Sequence, residues 1–372
     1  MAYFEDQRRD LAELADRARA RSLSARAGRD FSSNDYLALA GDPALAAAVR
    51  AAIDAGVPIG SGGSRLLRGN HEEHERLEAT AAGFFGSESA LYFSTGYAAN
   101  AALLSTLPQR GDLIVHDALV HASAHEGIRL SRAEARGATH NDPDAFEDVI
   151  AGWRAEGGTG QVWIAVESLY SMDGDQAPLD ALAAVADRHE AILVVDEAHA
   201  TGVFGDRGRG LAAGLAGHEN LITLHTCGKA LGCEGALLCG PRVVRDFLVN
   251  RGRAFIFSTA PSPLMAVAVE AALGLIAEPA RRTQLHDLIA RAEALLAPVG
   301  VAATGSQILP LVIGEDARTM AMAAELQRRG FDVRGIRPPT VPAGTSRLRI
   351  SLTRNVNEDD IAALAAAIGE LA

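Results

Sequence analysis

Aromatic residues are scarce in this 372-residue chain, at 5% of positions, and cysteine is scarcer, at three. Cys227, Cys233 and Cys239 are evenly spaced, which fits neither a zinc knuckle nor a disulfide framework. Reduced thiols in a cytoplasmic protein are the expectation. No stretch approaches the ~18 apolar residues that a membrane-spanning helix needs. The N-terminus, Met1-Ala-Tyr-Phe-Glu-Asp-Gln-Arg-Arg-Asp10, has no apolar core segment and does not read as a signal peptide. Positive charge is not in excess either. A net charge of −12 argues against nonspecific binding to nucleic acid or to an anionic membrane, so neither is an expected partner. Local arginine clusters remain able to hold an acidic ligand.

Several chemical signatures are also missing. Gly60-Ser-Gly-Gly-Ser-Arg65 carries Arg65 where a dinucleotide loop needs its third glycine, and no clean strand precedes it. There is no Walker A lysine pattern, no G-x-S-x-G elbow and no His-Glu-x-x-His. His121 and His125 stand at helical metal-ligand spacing, and His71 and His74 raise the same question. Neither pair has a third ligand at a fitting distance along the chain, so no metal is expected.

What is present is an alanine-rich chain, 48% hydrophobic and 22% charged, long enough for a substantial core and more than one domain. Residues 1–30 read as an Arg-rich amphipathic helix, with Leu11, Leu14 and Ala18 on one face, and then a loop. Apolar runs at 90–93, 113–115, 162–166, 192–195 and 221–224 read as buried strands. Leu179, Leu182, Ala183 and Ala186 between two of them have helical spacing. This rhythm predicts an α/β fold with a mostly parallel central sheet. From about Pro261 the pattern changes to long helices through 270–276 and 283–296, strands at 309–313 and 347–352, and a final helix from Glu358. The expected organisation is an N-terminal arm (1–40), a large domain (41–262) and a smaller C-terminal α+β domain (263–372).

In parallel sheets, ligands bind beyond the carboxyl ends of the strands. The run ending at Asp196 and the run leading to Lys229 place a carboxylate and a lysine there. A lysine forms the Schiff base of a pyridoxal 5'-phosphate (PLP) enzyme, and an aspartate keeps the pyridine nitrogen protonated. Upstream, Phe93-Ser-Thr-Gly96-Tyr97 follows a strand and opens a helix, whose N-terminal N–H groups suit a phosphate. His121 then follows in the order a ring-facing histidine would. Glu167-Ser-Leu-Tyr-Ser171 closes one strand, and His199 lies three residues past Asp196. Each segment alone is weak, and their order together favours a PLP enzyme.

These segments resemble the α-oxoamine synthase family. The resemblance lies in Phe31-Ser-Ser-Asn-Asp-Tyr-Leu37, Gly60-Ser-Gly-Gly-Ser-Arg65, Ser94-Thr-Gly-Tyr-Ala-Ala-Asn100 and His121-Ala-Ser123. It continues through Ser171-Met-Asp-Gly-Asp175, Asp196-Glu-Ala-His199, Thr226-Cys-Gly-Lys229, Phe257-Ser-Thr259 and Arg337-Pro-Pro-Thr-Val-Pro342 to Arg347-Leu-Arg349. It covers nearly the whole chain from residue 31. The Ser-Ser-Asn-Asp-Tyr-Leu and Gly-Gly-Ser-Arg segments favour the branch acting in biotin biosynthesis. Ala200, Ala230, Glu234 and Arg354-Asn355 depart from the usual family residues.

The resemblance implies the PLP-dependent transferase fold (aspartate aminotransferase-like, fold type I). It implies decarboxylative condensation of L-alanine with a pimeloyl thioester, carried on coenzyme A or on an acyl carrier protein. Lys229 would then anchor PLP and serve as proton-transfer base, and Asp196 would stabilise the pyridinium. His121 would stack on the ring, His199 contact the ring oxygen and Ser171 support the cofactor. Gly96, Tyr97 and Thr226 would hold the phosphate, with Ser258 and Thr259 supplied by a second subunit of a homodimer. Arg349, with Asn34, would grip the amino-acid carboxylate, and Thr340 would contact substrate. Arg21 best matches the family's acyl-binding arginine, with Arg17 and Arg19 as alternatives. The rival readings are sister condensations (glycine with a succinyl or acetyl thioester, serine with a palmitoyl one) and, from another class, a non-catalytic protein of the same fold.

Overall fold

The computed structural model describes residues 3–23 and 25–371. Its strands, in chain order, are β1 (Arg29–Asp30), β2 (Ser89–Phe93), β3 (Leu113–Asp117), β4 (Glu134–Ala138), β5 (Val162–Glu167) and β6 (Ile192–Asp196). They continue with β7 (Leu221–Thr226), β8 (Ala236–Gly240), β9 (Ile308–Gly314), β10 (Phe331–Asp332), β11 (Arg334–Ile336) and β12 (Ser346–Ser351).

The chain forms two compact units. The larger comprises Leu37–Ser171 and Gln176–Arg282. Its seven-stranded sheet has the order β2-β8-β7-β6-β5-β3-β4. β7, β6, β5, β3 and β4 run parallel, and β8 is antiparallel to both its neighbours. Strand alternation divides the core into two layers. Ile114, Trp163, Ala165, Val194, Ile222 and Leu224 pack on one face with Leu103 and Ala124. Leu113, Val115, Val162, Ile164, Leu193 and Val195 pack on the other with Phe146 and Leu182. Burial on both sides explains why these strands read as continuous apolar runs.

Two strands of this sheet escaped the sequence pattern. β4, Glu-Ala-Arg-Gly-Ala, is an edge strand, largely exposed and held by backbone pairing with β3 rather than by apolar burial. β8 returns directly after the Lys229 turn and is fully buried between β2 and β7.

The smaller unit comprises Met1–Tyr36, Met172–Asp175 and Thr283–Ala372. It has a three-stranded antiparallel sheet, β11-β12-β9, and a short parallel pair, β1 with β10. This division differs from the expected one. The described residues up to Tyr36 group with the C-terminal segment instead of standing as a separate arm to residue 40. The helix Pro263–Ala277 belongs to the larger unit, because Leu264, Ala268, Val269, Ala272 and Leu273 are buried there. The N-terminal helix spans only Glu5–Asp16 and buries no residue, with Leu11 62% exposed. Ala18 lies beyond it at φ 55°. The apolar stripe is too sparse to pack, and Glu5 and Asp6 support the first turn through the helix dipole instead. Among the described residues, no single helix is long and apolar enough to cross a membrane.

Candidate active site

The carboxyl ends of the parallel strands deliver the site. Asp196 ends β6, Glu167 ends β5, and Thr226 ends β7 three residues before Lys229. The Lys229 turn is closed by its own backbone. Gly232 N–H donates to the Lys229 carbonyl and Cys233 N–H to the Cys227 carbonyl, each at 2.8 Å. Gly232 has φ +65°, and a Cβ there would lie 2.3 Å from the Ala40 nitrogen, so glycine alone fits.

Lys229 lines one cavity with Gly96, Tyr97, His121, Asp196, His199 and Thr226. All seven are residues that the sequence singles out. Asn100, Ser123 and Glu167 line it too, and the sequence assigns them no role. Ser171, Ser258 and Thr259 are not among its lining residues. Ser258 is half-buried and Thr259 exposed, just past the short helix Arg253–Ile256.

Asn100 explains how the site is held. One amide hydrogen goes to Asp196 Oδ2 at 2.7 Å and the other to Ser123 Oγ at 3.0 Å. Asp196 Oδ1 accepts the Ala198 N–H at 2.9 Å. The Ser123 hydroxyl lies 2.8 Å from His121 Nδ1, and the same nitrogen caps the helix Ala122–Leu130 by accepting Ser123 N–H at 3.2 Å. An Nδ1 that accepts leaves the proton on Nε2, an assignment made from the hydrogen-bond network. Burial keeps the His121 imidazole below the usual histidine range, with Lys229 adding to the effect and Asp196 opposing it. A chain of carboxylate, amide, hydroxyl and imidazole thus orients two site groups together.

The helices Gly96–Thr106 and Ala122–Leu130 must meet closely for this link to form. Gly127 permits it, since a Cβ there would lie 2.9 Å from both the Asn100 carbonyl oxygen and Leu104 Cβ. Gly127→Val is expected to lower stability by about 1–3 kcal/mol through overpacking. Gly83→Ala, at an exposed helix position with open space around it, should cost nothing. Thermal unfolding of the two variants side by side checks this.

At the helix end of the cavity, Thr95 Oγ caps the helix Gly96–Thr106 by accepting Ala98 N–H at 3.0 Å. The Gly96 and Tyr97 N–H groups have no intrahelical acceptor. A Cβ on Gly96 would sit 3.4 Å from Thr226 Oγ1, so glycine keeps the space between helix and threonine open. Behind Asp196, Glu197 is buried and accepts from Ser168 Oγ and from the Leu211 and Ala212 N–H groups. Burial pushes its carboxyl up to about 7, and its role is to tie the turn down.

The smaller unit holds the expected carboxylate-binding group. Arg349, on β12, donates to Ser351 Oγ at 2.6 Å, Asn34 Oδ1 at 3.2 Å and Tyr36 Oη at 3.4 Å. Arg349 and Asn34 are thus brought together. Arg21 is exposed and its charge is felt by Arg337, and Thr340 is exposed. His71 and His74 cap and pack, and His71, Glu72 and Glu73 also bring their ligand atoms within 4.8 Å of one another. His71 Nδ1 accepts Glu73 N–H at 3.2 Å, and His74 Nε2 lies 2.8 Å from the Pro261 carbonyl oxygen. His125 stacks edge-on against His116.

A family model for aminotransferase class I and II matches residues 28–368. An 8-amino-7-oxononanoate synthase from Anaeromyxobacter dehalogenans (strain 2CP-1) is 45% identical over 359 residues, covering 94% of this chain and 88% of that one. The chain belongs to the 8-amino-7-oxononanoate synthase family. It is a PLP-dependent acyltransferase with the class I and II aminotransferase fold. Among solved structures, 8-amino-7-oxononanoate synthase from Francisella tularensis matches with a TM-score of 0.78 at 28% identity, over 92% of this chain and 97% of that one. A serine palmitoyltransferase from S. paucimobilis with bound PLP–myriocin aldimine matches with a TM-score of 0.88 at 25% identity, over 99% and 97%.

The residues present fit PLP. A primary amine (Lys229), a carboxylate held by two donors (Asp196), a neutral imidazole (His121) and a helix N-terminus beside a threonine hydroxyl share one cavity. These are the donor types that a ring nitrogen, a ring face and a phosphate require.

Proposed function

We propose that this chain condenses L-alanine with a pimeloyl thioester, releasing carbon dioxide and the carrier thiol and forming 8-amino-7-oxononanoate. The observation that carries this reading is the 45% identity across 94% of the chain, joined to the intact Lys229–Asp196–His121 geometry. When bound, PLP supplies an electron sink for negative charge at the substrate Cα. Lys229 would hold the cofactor through its side-chain amine, and that amine would accept the alanine Cα proton. Asp196 would face the ring nitrogen, and the Asn100 amide and the Ala198 N–H orient its two oxygens. His121, neutral and fixed through Ser123, packs on the ring and orients the substrate, and His199 meets the ring oxygen. Gly96, Tyr97 and Thr226 bind the phosphate. Ser258 and Thr259, supplied by a second copy of the chain, complete that grip in a homodimer, and Ser171 supports the cofactor.

Arg349 with Asn34 binds the alanine carboxylate, Thr340 contacts substrate and Arg21 receives the acyl chain. Arg349 is already oriented by three oxygen partners, which suits a forked donor. Arg349→Lys keeps the charge and loses the fork. It should raise the KM for alanine by roughly 10- to 100-fold with a smaller change in kcat. An unchanged KM would remove Arg349 from the substrate site.

The deciding assay is carbon dioxide release with L-alanine, glycine or L-serine against pimeloyl, succinyl, acetyl and palmitoyl thioesters. Turnover with alanine and pimeloyl-CoA or pimeloyl-acyl carrier protein is expected. Turnover with glycine but not alanine would assign a sister condensation, and no turnover with any pair would return the chain to the non-catalytic reading.

A further inference from the structure

Glu167 lines the Lys229 cavity, and the proposed reaction gives it no task. Its Cα pairs in register with that of Asp196 on the neighbouring strand. By alternation from Trp163 and Ala165, and from Ile192 and Val194, both carboxyls project to the same face of the sheet. The two are held very differently. Asp196 accepts from the Asn100 amide and the Ala198 N–H. Glu167 is 3% exposed, receives a Ser171 N–H, and its Oε1 is buried with no hydrogen-bond partner among the described residues. A buried polar atom without a partner needs an explanation, and beside a ligand cavity a ligand atom supplies one. Two carboxyls side by side away from water do not both ionise, and the proton stays on the one with fewer donors.

We propose that Glu167 is a positioning residue of the cofactor pocket, working as a neutral carboxylic acid that leaves Asp196 as the single carboxylate of the pair and presents its unpartnered oxygen to the bound cofactor. This rests on the PLP reading of the cavity.

The groups around Glu167 agree with this. Burial first, then the Asp196 charge, pushes the Glu167 carboxyl well above the usual carboxylate range. Lys229 and the Ser171 N–H oppose this, and Asp117 at the end of β3 adds to it. The Tyr170 phenol, on the same segment, is pushed upward by burial first and then by the Asp117 charge, so it adds no negative charge. Asp117 is occupied elsewhere, accepting from Leu119 and Asn141 N–H at 2.8 and 2.9 Å and lying 2.9 Å from His140 Nδ1. A second negative charge in the cavity would alter the proton balance at the cofactor ring, and the neutral acid avoids it.

Three proteins test this: wild type, Glu167→Gln and Glu167→Ala. The first readout is the infrared carbonyl band of a protonated carboxyl at neutral pH, expected in wild type and missing from Glu167→Gln. The second is the PLP dissociation constant of the apo-proteins from pH 6 to 8, with apo-protein unfolding temperatures as the folding control. The neutral isostere Gln should bind PLP within about threefold of wild type, with the same pH profile of the visible band, and Ala should bind at least about tenfold more weakly. Gln binding as poorly as Ala would show that the ionised form is needed. Ala binding like wild type, or no infrared band, would also overturn the proposal. If wild type takes up no PLP, the cofactor reading fails, and the infrared band still decides where the proton sits.

Discussion

Lys229→Ala is expected to lose at least about 10⁴-fold in condensation rate, because one substitution removes both the covalent anchor and the base. It should also lose the visible absorbance that PLP shows when joined to the wild-type protein. Lys229 is the only lysine in the sequence. Borohydride reduction of the PLP-loaded protein should therefore place the cofactor mass on one peptide, and Lys229→Ala should leave none there. The closed turn between Cys227 and Cys233 fixes the Lys229 backbone, and the chain offers no second side-chain amine to take its place. Trapped cofactor on the N-terminal amine, or a persistent visible band in the variant, would be incompatible with this assignment.

Asp196→Asn should be the next largest effect, a loss of roughly 10²–10³-fold in kcat with PLP still joined to Lys229. Asn has the same shape, so the fold has no reason to fail. The change removes the charge that holds a proton on the ring nitrogen, and with it much of the electron-withdrawing power of the ring. It also sets donor against donor. The side chain at 196 faces the Asn100 amide on one oxygen and the Ala198 N–H on the other, and an amide can accept on one side only. The retained covalent link separates this variant from Lys229→Ala. Stopped-flow measurement of alanine Cα–H exchange isolates the affected step, and an unchanged exchange rate would take Asp196 out of the chemistry.

Much of this site is legible in the linear sequence. Asp196, Thr226 and Lys229 follow buried apolar runs, and a polar group closing such a run faces the ligand side of a parallel sheet. Gly96 and Tyr97 begin a helix directly after a strand. The solitary lysine is a further signal in plain view. The N-terminal helix shows the opposite case, since its periodicity is real while none of its residues is fully buried. The boundary near residue 282 is equally hidden, because Pro263–Ala277 has the same local pattern whichever unit it packs on.

The sequence by itself determined the α/β class and the family, and marked Lys229 and Asp196 as candidates for anchor and partner carboxylate, because these depend on short apolar runs and on the residues that end them. Only the tertiary structure decided that Asn100 orients Asp196 from 96 positions away, that Ser123 fixes the His121 tautomer, and that Glu167 sits beside Asp196 with an oxygen to spare. Those relations come from strand register and from the close approach of two helices at Gly127, contacts between distant segments that no local pattern encodes.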